Sequence, residues 1–127
     1  MSVVTVAVFM LVMGVAIAGI WTRDIARGAG FDRSAGLLRA RSEPDGALML
    51  PHWVAEYATA TALVVGAVAL LADAAWAVPV AAAALGATCS TSTTSLGWAL
   101  AEPSRRPYAA PMGVGLVGGV AGLVVLV

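Results

Sequence analysis

"VVTVAVFMLVMGVAIAGIWT", residues 3–22, runs without a single charged side chain. A helix needs about 20 mostly apolar residues to cross the hydrocarbon of a bilayer. This stretch meets that length unaided, and the first charge, Arg23, arrives directly after it. It has neither a charged segment before it nor a convincing cleavage site, so it reads as a retained helix and not a signal peptide. The rest of the chain follows the same pattern. Of its 127 residues 61% are hydrophobic and 11% charged, against about 25% charged in an ordinary soluble domain. A soluble core of this length cannot hide so much apolar surface. The expected fold is an all-α integral membrane protein, a single domain over residues 1–127.

Three further spans are expected outward from the first. Residues 53–72 carry one charge, Glu56; residues 77–101 carry none before Glu102; residues 109–127 carry none. The breaks are a polar segment over 23–52, a tight turn around Asp73, and "EPSRRPY" over 102–108. This predicts a four-helix bundle with a long arginine-rich loop between its first two helices.

The arginines set a direction. Arg23, Arg27, Arg33, Arg39 and Arg41 lie in the first loop and Arg105 and Arg106 in the third connection, while the middle turn has none. The positive-inside rule puts both arginine-bearing segments in the cytoplasm and both termini outside. Trp21, Trp53, Trp98 and Tyr108 fall at that same boundary as half of an aromatic belt, with Trp76 opposite. Seven arginines without a lysine, among many Ala, Gly and Val, read as GC-rich coding. The expected location is a multi-pass position in a cell membrane, that of a bacterium.

"PHWVAEYATATA", residues 51–62, holds the features that point to chemistry. Glu56 is the one ionisable residue inside an expected span, and such a residue is costly enough to be a functional candidate by default. It lies roughly 6 Å past the boundary at 1.5 Å per residue. His52, four positions earlier, shares its helix face, and Thr59 continues that face. Pro51 suits the first turn of a helix starting there. A neutral His52 sharing a proton with Glu56 makes an acid–base pair. The third helix runs the opposite way, so residues 93–96 meet Glu56 at its depth. They end "TCSTSTTS", residues 88–95, whose hydroxyls bond to carbonyls a turn back and are cheap in lipid. Thr94 or Ser95 is expected to reach Glu56, and Trp53, Tyr57 and Trp98 to wall the site. Asp24 and Glu102, at the same ends of the first and third helices, would form an acidic rim. Pairing of these two with neighbouring arginines is the plainer reading.

"GVGLVGGVAGL", residues 113–123, has two G-x-x-x-G spacings, Gly115–Gly119 and Gly118–Gly122. These bring helices close, within the bundle by preference, or with a second copy or a membrane partner. In the first loop "SAGLLRAR", residues 34–41, suits a short helix on the bilayer surface. "GAGFDRSAG" lacks the Lys-Ser/Thr of a nucleotide loop. A lone cysteine, Cys89, excludes an internal disulfide. No cofactor, metal or nucleic-acid partner is expected.

The leading expectation for function is a polar intramembrane site that binds, or processes by acid–base chemistry, a lipid-like or isoprenoid small molecule. Membrane lipid is the expected surrounding partner. One alternative is a non-catalytic structural or accessory membrane subunit. Another is a small proton-coupled transporter, which an internal repeat would favour. The halves show none: Glu56 and the Ser/Thr run have no counterparts.

Overall fold

A computed structural model describes residues 2–26, 46–101 and 103–127, with the side chains of Asp24, residues 46–50, Trp98, Ser104 and Arg105 outside that description. The described chain is helical. It runs α1 (Val3–Ala26), α2 (Gly46–Leu71), α3 (Ala77–Ala101), a short 3-10 helix (Pro103–Tyr108) and α4 (Ala109–Leu126). α1, α2 and α4 each contain a segment long and apolar enough to cross a membrane. These three mark a membrane protein.

Two boundaries differ from the sequence reading. α1 continues to Ala26, past Arg23, and α2 begins at Gly46, before the expected start at 53. Pro51 therefore lies inside α2, not in its first turn. "ALML", residues 47–50, is apolar enough to prolong the helix, and one missing N–H near its start costs one ladder bond. His52 accordingly sits well inside the helix, away from the partial charge of its N-terminus. The expected surface helix at 34–41, and Arg27, Arg33, Arg39 and Arg41, lie outside the described residues.

The turn from α2 to α3 is built on Asp73, whose φ of 51° is left-handed. Its N–H bonds to the Leu70 carbonyl at 3.3 Å, and the Ala74 N–H reaches back to Ala69 at 3.0 Å. This pair closes a helix C-terminus in the Schellman manner. Asp tolerates the left-handed conformation better than most side chains.

α2 packs against α1 on one side and α3 on the other, and α3 against α4. The contact between α1 and α4 is slighter. Small residues let the backbones close. A Cβ on Gly14 would meet the Ala60 carbonyl at 2.9 Å, and one on Gly66 would meet the Ala81 backbone at 3.1 Å. α4 presents its glycines to the bundle. Gly115 receives Ser92 and Met13, Gly118 receives Phe9, and Gly122 receives Leu85 and Val6. The G-x-x-x-G positions thus serve contacts inside the protein.

The core has the pattern of a membrane protein. Met10, Leu63, Leu85 and Val6 are fully buried, and so are Glu56 and Thr88. The outside is valine: Val12 and Val15 on α1, Val54 and Val68 on α2, Val117 and Val124 on α4. Polar groups inside and branched aliphatics outside suit a hydrocarbon solvent. In water such faces would form apolar patches much larger than a soluble monomer exposes.

Candidate functional site

α2 is unbroken from Gly46 to Leu71, so His52 and Glu56 stand one turn apart on the same face. His52 Nε2 lies 3.5 Å from Glu56 Oε1. From α3, the Ser95 hydroxyl donates to that same oxygen at 3.4 Å. Ser95 falls inside the 93–96 window set by antiparallel depth matching. From α1, Trp21 packs edge-to-face on His52, with ring centroids 5.1 Å apart and planes at 81°. Trp21 also makes a hydrogen-bonding interaction with the Glu56 carboxyl. Groups from three helices therefore converge on one acid that is 1% exposed.

The remaining expected site residues divide. Thr59 is buried on the Glu56 face, but its hydroxyl donates to the Ala55 carbonyl at 2.8 Å and is occupied by its own helix. Trp53 is buried. Tyr57 turns to α1, where its hydroxyl pairs with that of Thr22 at 2.7 Å. Thr94 is exposed and donates to the Ser90 carbonyl at 3.2 Å, so Ser95 and not Thr94 is the hydroxyl at the acid. The side chains of Asp24 and Trp98, and all of Glu102, lie outside the described residues, so the acidic rim does too.

Trp21 is the member that sequence reading missed. It had been assigned to the aromatic belt at the depth of His52. The usable signal was that assignment: two rings at one depth on adjacent antiparallel helices are placed to touch.

Chemically, the cluster combines an acid, an imidazole and a hydroxyl in a buried site. Both contacts to Oε1 are long beside the 2.5–3.0 Å usual for O–H···O bonds and 2.7–3.2 Å for N–H···O bonds. With Trp21, they surround the carboxyl from three helices. Such an acid can exchange a proton with the imidazole or accept a shorter bond from another donor. Among the described residues no three His, Cys, Asp or Glu side chains group as metal ligands would.

No protein-family model matches the chain, and neither a curated protein nor a solved structure matches it.

Proposed function

We propose that the chain is a four-span membrane protein that binds the polar end of a lipid-like or isoprenoid molecule at Glu56, with His52 as its proton partner and Ser95 as polar lining. The fourth span is α3. It has 25 residues and packs between α2 and α4. If its two neighbours cross the bilayer, a helix lying along both crosses with them. Arg23 lies in the last turn of α1 and Arg106 between α3 and α4, at one end of the bundle, while Asp73 and Trp76 mark the other. The positive-inside rule turns the arginine end to the cytoplasm and both termini outward.

The observation that carries the ligand reading is the convergence of an imidazole, an indole and a hydroxyl from three helices on one buried acid within an apolar span. A carboxyl is expensive at that depth and is a functional candidate by default. A second reading has its own support: at 1% exposure the acid is closed on hydroxyl and ring, as in an interhelical clasp. In that case the protein is a structural or accessory subunit.

Glu56→Gln separates the two. It keeps the shape and much of the hydrogen bonding but removes the proton-exchanging acid. The measurements are folded yield in detergent and the lipids retained from a total lipid extract, read by mass spectrometry. The expected result is unchanged yield with loss of a retained species. Loss of folded protein favours the clasp. Unchanged yield with an unchanged lipid profile sinks the ligand reading.

A further inference from the structure

A second feature lies on the other face of α2, turned away from Ser95. A groove of about 740 Å³ runs along the outside of the α1–α2 pair, from Gly14 to Ala26. Twelve helical steps make it roughly 18 Å long. Its floor and walls are small or aliphatic: Gly14, Ala18, Gly19, Ala60 and Val64. Thr61 also lines it, but its hydroxyl donates to the Tyr57 carbonyl at 2.8 Å and leaves its methyl group outward. The groove is open because Ala18 and Gly19 leave little side chain beside the close α1–α2 contact at Gly14, and a Cβ at Gly19 would meet nothing within 4 Å.

Polarity is confined to one end. Arg23 lines the groove there, beside the paired hydroxyls of Thr22 and Tyr57. In that pair one O–H donates to the other oxygen, so the second O–H is left to donate elsewhere. A guanidinium and a hydroxyl donor thus meet at the end of the apolar span of α1, where the span stops at Arg23. An apolar channel leading inward from two donors and a positive charge matches an amphiphile with an anionic head. The volume falls within the roughly 300–1,000 Å³ typical of small-molecule sites.

We infer that this groove binds one acyl chain of an anionic membrane phospholipid, whose phosphate is held by Arg23 and the Thr22–Tyr57 hydroxyl pair. The inference rests on the membrane placement in the proposed function but not on any role for Glu56. Arginine supplies the planar fork suited to phosphate oxygens, and each basic side chain near an anionic surface favours such lipids about fivefold.

The test uses the full chain in nanodiscs of equal phosphatidylglycerol and phosphatidylcholine, with retained lipid counted by native mass spectrometry. Wild type is expected to keep phosphatidylglycerol preferentially. Arg23→Gln is expected to lower that preference about fivefold. Gly19→Leu fills the groove, and a Cβ at Gly19 meets nothing within 4 Å, so the bundle has room for it. It is expected to lose the retained lipid although Arg23 is present. Glu56→Gln is the control: its groove lipid persists even where the Glu56 ligand reading fails. Equal retention of both lipids by wild type overturns the inference. So does full retention in Gly19→Leu, which would reduce Arg23 to a surface attraction. Extraction by alkaline carbonate would expose a wrong membrane placement independently.

Discussion

The two halves of the bundle are joined by different means. Near Glu56 the helices meet through polar groups: a carboxyl, an imidazole, an indole and a hydroxyl, with contacts of 3.4–3.5 Å. About ten residues along α2, near Gly66, they meet through shape. There Met10 and the Ala81 backbone close on a glycine, and Leu85 lies against Gly122. In lipid, apolar side chains gain little by leaving a hydrocarbon solvent, so close packing supplies much of the attraction between helices. Interhelical hydrogen bonds contribute only about 0.6 kcal/mol on average. On these magnitudes the shape-matched half is expected to carry more of the stability than the polar half.

Four substitutions test that division, in descending order of effect. Leu85→Ala removes a fully buried side chain from the packed half and is expected to cost about 1–3 kcal/mol through the cavity it leaves, the water-transfer part of a soluble core being absent in lipid. Gly66→Val forces a Cβ against Met10 Cε at 2.9 Å and the Ala81 backbone at 3.1 Å, for about 1–3 kcal/mol of overpacking. Both are read from unfolding midpoints in detergent micelles. Ser95→Ala, in the polar half, should cost about 0.6 kcal/mol. A double-mutant cycle with Glu56→Ala, which removes the acceptor, should return a coupling of about that size. If Ser95→Ala proves as damaging as Leu85→Ala, the division is wrong and the acid is the main clasp. Thr94→Ala removes an exposed hydroxyl bonded only within its own helix, and its effect should stay within about 0.5 kcal/mol. A large loss there would mean that the outer face of α3 is covered by a partner.

Much of the fold could be read from hydropathy alone. Residues 77–101 and Ala77–Ala101 coincide, and α4 ends one residue before the expected 127. The boundaries that moved flank the first loop, where apolar "ALML" and Ile25 carry helix past the charged residues. Charge there limits the apolar segment, and a helix has no need to end with it. The His52–Glu56 pair was legible because helical spacing alone sets it. Choosing Ser95 over Thr94 was not, because neighbouring positions on a helix differ by about 100° and only the rotation of α3 decides between them. The groove over Gly14, Ala18 and Gly19 was invisible for a related reason. Small residues on one helix signal closeness or vacancy equally, and the position of α2 determines which.

The Ser/Thr run of α3 has a consequence for how the protein is made. Thr88, Thr93 and Thr94 donate to carbonyls one turn back, at 2.9, 2.7 and 3.2 Å. Each hydroxyl is thus satisfied before α3 meets another helix. Yet α3 is the long helix that falls short of the apolarity of the other three. On the four-span reading it enters the bilayer as a passenger, carried by its tight turn behind α2 or captured by the glycine face of α4. Insertion of this helix therefore depends on its neighbours, and a nascent chain halted at Ala101 would hold its third span less firmly than the finished protein does.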